Sequence, residues 1–145
     1  MKKLNKMEFV VRDSIVGIKV HVLLNCSEED FRKWCKRQGA EDYSSQKLDP
    51  NYSAFSTYLT CPEAPNKYLI FLKEFNWNVN DMNTLVHEIV HTIFKIWKSA
   101  ANGIVCDDTQ EFFAVAVGNM YEDITEEILK RNKQWLKRKR VNSIG

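Results

Sequence analysis

A chain of 145 residues is long enough for one hydrophobic core and too short for two ordinary domains, so a single domain over residues 1–145 is expected. With 44% hydrophobic and 28% charged residues, 5 Gly and 3 Pro, the composition excludes a disordered or fibrous protein. The net charge of +2 excludes no class of partner and hides an asymmetry: Glu122, Asp123, Glu126 and Glu127 precede a basic segment of seven Lys or Arg without an acid between residues 130 and 140.

The N-terminal segment MKKLNKMEFVVRDSIVG has a basic start, but Glu8, Arg12 and Asp13 interrupt it before an apolar run of signal-peptide length develops. No stretch approaches the roughly 20 apolar residues that span a bilayer, so neither export nor membrane insertion is expected. Cys26, Cys35, Cys61 and Cys106 are scattered with no CxxC pair. They read as reduced, mostly buried thiols of a cytoplasmic protein.

Residues 17–25 alternate around Val20, Val22 and Leu24 and predict a strand. Ser27 then stands before Glu28, Glu29 and Asp30, the pattern of an N-cap with acids in the first turn. A helix carrying Phe31, Trp34 and Cys35 follows and should end near Gly39. Residues 40–51, polar and containing Pro50, predict a loop.

Two β-rich runs come next, from Tyr52 to Cys61 and from Lys67 to Phe75, joined by the short connection 62–66. The first is more polar and suits a sheet edge, while the second is nearly all apolar in its middle and suits the interior. After an Asn-rich turn at 76–80, Asn80 or Asp81 can cap a helix reaching about Ala101, with Asn102 and Gly103 as a stop. A last helix is predicted to begin near Asp107 or Asp108, because Phe113, Val117, Met120, Ile124 and Ile128 recur at helical spacing between Thr109 and Lys130. Beyond it lies a basic helix or tail at about 130–145. The order strand, helix, strand, strand, helix, helix predicts an α+β fold.

The segment Leu85-Val86-His87-Glu88-Ile89-Val90-His91 sits inside the fifth predicted element and carries the pattern HExxH. Residues four apart lie on one side of a helix, so the imidazoles of His87 and His91 can reach one metal ion, with Glu88 at the edge of that side. Leu85, Val86, Ile89, Val90, Ile93, Ile96 and Trp97 occupy a broad arc directed away from them, which the core can take. Zn2+ with an open position for water needs a third protein ligand. His21, the only other histidine, shares a strand face with Lys19 and reads as a surface or sheet-edge residue. Asp107, Asp108 and Glu111 remain. The two aspartates have an ordinary use as helix caps, whereas Glu111 adjoins the apolar stretch Phe112 to Val115 and is the best third ligand.

This arrangement resembles the zincin metallopeptidases of the gluzincin type, in which an HExxH helix is followed by a helix donating a glutamate. It is especially similar to small phage and prophage proteins with a minimal zincin domain, where a Glu-x-x-Ala helix follows the motif. Here that element is Glu111-Phe112-Phe113-Ala114, and the resemblance covers roughly residues 52–121. It implies a single zincin-like domain with a small mixed sheet packed on the motif helix, a zinc ion held by His87, His91 and Glu111, and Glu88 as general base. The implied partner is a peptide or protein substrate, laid along an edge strand near Phe55 to Leu59, so that Phe55, Thr57 and Tyr58 become candidate substrate-binding residues.

The donor for the transition-state oxyanion is unassigned among Tyr58, Tyr121 and His21. Two other functions fit the same chain: a non-catalytic phage-assembly or structural protein stabilised by zinc, and a nucleic-acid-binding module using the basic residues from Lys130 to Arg140 around Trp135.

Overall fold

Strand β1, Met7–Arg12, alternates strictly: Met7, Phe9 and Val11 are buried, and Glu8, Val10 and Arg12 are exposed. The sequence reading assigned no strand here. Glu8 and Arg12, which interrupt the apolar run, are the solvent side of a half-buried strand. The computed structural model describes residues 5–40, 53–61, 64–99, 103 and 106–143. The predicted loop at 40–51 lies outside the described residues except for Ala40.

The chain reverses after β1 because the buried Asp13 carboxylate accepts from the backbone N–H groups of Ile15 (2.8 Å), Val16 (2.9 Å) and Ile18. Gly17 takes φ +75, a conformation that favours glycine. This turn occupies the start of the strand predicted at 17–25, so β2 is shorter, Lys19–Leu24, and pairs antiparallel with β1 from Arg12↔Lys19 to Met7↔Leu24.

Helix α1, Glu28–Arg37, begins where expected. Ser27 and Asp30 form a reciprocal capping box, and Gly39, at φ +75, lies just past the end.

Strands β3, Ala54–Cys61, and β4, Ala64–Leu72, pair antiparallel, and β4 runs parallel to β2. The resulting order β1-β2-β4-β3 puts the polar run at a sheet edge and the apolar run inside, as their compositions require. From Tyr68 to Leu72, β4 is buried on both faces. Leu23, Leu69 and Phe71 meet Phe31, Trp34 and Cys35 of α1 on one side. On the other, Val20, Val22, Leu24, Tyr68, Ile70 and Leu72 meet two further helices, α2 over Val79–Ser99 and α3 over Gln110–Asn142.

Helix α2 spans Val79–Ser99. Its cap is Asn78 rather than Asn80 or Asp81: the Asn78 Oδ1 accepts from the Asp81 N–H at 2.8 Å, while the Asp81 carboxylate accepts from the Asn76 backbone and the Asn78 amide. Past the helix end, the Gly103 N–H donates to the Trp97 carbonyl at 2.8 Å. A Cβ at position 103 would stand 2.3 Å from the Trp97 indole, so only glycine fits there. The predicted end at Ala101 lies outside the described residues.

Asp107 and Asp108 lie in a turn before α3, Gln110–Asn142. This helix runs well past Lys130 because the basic segment continues it. No described helix is long and apolar enough to cross a membrane. Mixed strand pairing with helices on both faces makes the fold α+β.

His21, half-buried on the α1 side, meets Trp34 edge-on at 5.2 Å. Burial, assisted by Lys67, holds its imidazole below the ordinary value of 6.5. The unfolded chain therefore takes up this proton first as pH falls. His21 contributes a stability that is present above about pH 6.5, is lost as pH drops through that value, and stops falling once the folded imidazole is itself protonated. Urea unfolding at pH 7.5 and 5.5 should show a pH-dependent loss that shrinks in His21→Phe; an equal loss in both proteins rejects the assignment.

Candidate metal centre

The sides of α2 do different work. Leu85, Ile89, Ile93 and Ile96 are fully buried against the sheet and α3. Val86 and Val90 are 37% and 38% exposed, so the apolar arc is narrower than the sequence suggests. The covering elements reach only as far as the Leu85–Ile96 stripe.

On the exposed side, His87 and His91 converge. Their Nε2 atoms are 3.0 Å apart and their ring centroids 4.5 Å apart, with the planes at 77°. Two imidazoles on a tetrahedral zinc, at about 2.0–2.1 Å from the metal, have their nitrogens roughly 3.3 Å apart. The pair would need to open by only a few tenths of an ångström. Facing Nε2 atoms cannot both present a lone pair without a proton or a cation between them.

Glu88, between them in sequence, is buried where the two histidines are exposed. It is only 7% exposed, and among the described residues its carboxylate forms no ion pair. Seven residues on, Lys95 lies on the same side of the helix, and its Nζ donates to the Ser56 carbonyl at 2.8 Å and the Ser56 Oγ at 3.3 Å. Burial lowers the ammonium of Lys95, and the negative charge of Glu88 opposes that shift. Glu88 and Lys95 thus line the part of α2 that turns toward the edge strand β3.

The register of β3 decides which of its residues can serve this helix. Phe55 packs against Phe31 and Phe71 at 5.3 and 4.8 Å, on the α1 side of the sheet. Thr57, paired with Leu69, shares that side. Neither side chain is directed toward the motif helix. Ser56 faces α2, and position 58 pairs with Tyr68 on the same face; the Tyr58 side chain lies outside the described residues. Ser56 and Lys95 were missed because neither belongs to a motif. The available signal was parity along β3 and the seven-residue spacing from Glu88 to Lys95.

The Lys73 N–H donates to the Ser53 carbonyl at 2.8 Å. By antiparallel alternation, the backbone groups of residues 54, 56 and 58 turn to the open edge. There Lys95 already occupies the carbonyl of Ser56.

Glu111 is exposed on the first turn of α3, as are Asp107 and Asp108 in the turn before it. Nearby, Phe113 approaches Phe94 at 6.4 Å between ring centroids, and Phe94 lies one turn past His91. Among the described residues no three His, Cys, Asp or Glu side chains are grouped closely enough to hold a metal ion. The structure brings His87 and His91 together and does not bring Glu111 to them.

Of the three oxyanion candidates, His21 lies across the sheet from α2 and Tyr121 packs against the main core. Cys26 is buried, which pushes its thiol up to about 11 and leaves it inert, and Cys35 is buried as well. Cys106 is exposed, with its thiol lowered by the Thr109 hydroxyl.

Comparison of the chain with protein-family models, curated proteins and solved structures finds no match.

Proposed function

We propose that this protein is a zinc-dependent hydrolase that cleaves peptide bonds, a minimal metallopeptidase of the gluzincin type. The observation that carries the reading is the convergence of the His87 and His91 Nε2 atoms at 3.0 Å on an exposed helix side, with a buried carboxylate at the intervening position 88. His87, His91 and Glu111 would hold the ion. Glu111 does not stand with the pair, so its recruitment accompanies metal binding. When bound, zinc supplies a Lewis acid that acidifies water and polarises the scissile carbonyl.

The chain's own groups do the rest. Glu88 removes a proton from the attacking water and returns it to the leaving amine. Its partial burial keeps water from screening that carboxylate. Strand β3 offers an open edge on which an extended peptide can lie by backbone pairing. Lys95 anchors that edge to α2 through Ser56, holding the binding strand at a set position relative to Glu88.

Protein stripped with chelator and titrated with Zn2+ should take up one ion per chain and gain cleavage of a mixed peptide library. X-ray absorption should report two imidazole nitrogens plus oxygen donors. Absence of zinc uptake rejects the reading, and a site closed by four protein ligands without cleavage replaces it with a structural metal.

A further inference from the structure

The metallopeptidase reading uses the first turn of α3 and makes no use of its far end. Among the described residues, Ile128 is the last buried one of that helix. Arg131, ion-paired with Glu127 at 2.8 Å and 5.2 Å over the Phe9 ring, ties the next turn to β1. From there to Asn142 the helix continues for about 16 Å at 1.5 Å per residue.

Lys130, Lys133, Lys137 and Arg140 are all exposed on this segment. Their spacing of three, four and three holds them within about 80° of one another, on one side of the helix and over about 15 Å. No acid follows Glu127 in the sequence.

Two ordinary explanations fall short. The helix dipole favours cations only within the last turn, which leaves Lys130, Lys133 and Lys137 unaccounted for. A face built for solubility mixes both signs, whereas α3 carries only acids from Glu111 to Glu127 and only cations after them. Here each neighbouring pair on the stripe is like-charged and at helical contact distance, which weakens the helix in isolation. A polyanion laid along the stripe relieves that repulsion.

We propose that this stripe binds the phosphodiester backbone of nucleic acid, independently of base sequence and of the metal centre. A helix lying on an anionic membrane needs an apolar face opposite its cations. The vesicles in the test below decide between that surface and a nucleic acid.

The test uses the full chain with a labelled 20-base-pair DNA duplex, an RNA duplex of the same sequence, and phosphatidylserine vesicles. About four phosphate contacts predict a slope of log K against log salt near −3.6 on DNA, or roughly a 150-fold weakening between 50 and 200 mM salt, unchanged when the sequence is scrambled. Single K133Q and K137Q variants should each lower the slope by about 1. Together, K130Q, K133Q, K137Q and R140Q should abolish binding with the helical circular dichroism intact, whereas K130R, K133R and K137R together should retain it. If the fourfold variant fails to fold, the single variants decide.

Binding to either duplex supports the proposal, and the preferred one identifies the sugar. No binding to either at 50 mM salt, undiminished binding in the Gln variants, or binding to vesicles alone overturns it.

Discussion

Replacing Glu88 with Gln should leave zinc in place and lower peptide hydrolysis by about 10²–10⁴-fold, the usual contribution of a positioned general base. The converging donors are the Nε2 atoms of His87 and His91, and Glu88, buried at the position between them, is proposed as the base and not as a ligand. Glutamine keeps the shape and cannot accept the proton. Because the carboxylate forms no ion pair among the described residues, and Lys95 keeps its bonds to Ser56, the fold should change stability by no more than about 1 kcal/mol. Zinc stoichiometry, peptide cleavage and a thermal melt on the same preparation check this. Retained activity places the base elsewhere, and loss of the ion makes Glu88 a ligand.

What could be read beforehand was what local chemistry dictates. Helix α1 was legible because Ser27, Asp30 and Gly39 mark its ends through bonds made within a few residues. The exchange of edge and interior between β3 and β4 was legible because a strand covered on both faces must be apolar throughout. Strand β1 was not, since its charged solvent side looks like the interruption of an apolar segment until a partner strand is supplied. The α2 cap was missed by two residues because Asn78 and Asn80 are chemically identical; the mutual bonds of Asn78 and Asp81 decide between them. The length of α3 escaped because cations on a projecting helix leave no apolar period to count.

The site divides along the same line. Two histidines four apart on a helix meet by local geometry alone, and they do. Which face of β3 looks at them depends on a one-residue parity set by pairing with β4, and composition does not carry that parity. Phe55 and Thr57, named through the resemblance to zincins, turn to the α1 face, while Ser56 turns to the α2 face.

The proposed third ligand, Glu111, is nonlocal as well, and replacing it differs in kind from replacing a histidine. His91→Ala removes one of two donors that already converge, so zinc affinity should fall at once. Apparent zinc affinities of about 10–16 kcal/mol shared among three or four ligands put each at roughly 3–4 kcal/mol, or about 10²–10³-fold. Glu111→Gln removes a donor that must first be brought to the pair, and part of its binding energy goes into ordering that approach. Its loss should be smaller, nearer 10²-fold, with an oxygen donor missing from the absorption spectrum and both imidazoles retained. Competition against a chromophoric chelator measures both. If Glu111→Gln binds zinc as the parent does while Asp107→Asn or Asp108→Asn weakens it, the ligand comes from the turn before α3 instead, and the gluzincin likeness loses the residue on which it chiefly depends.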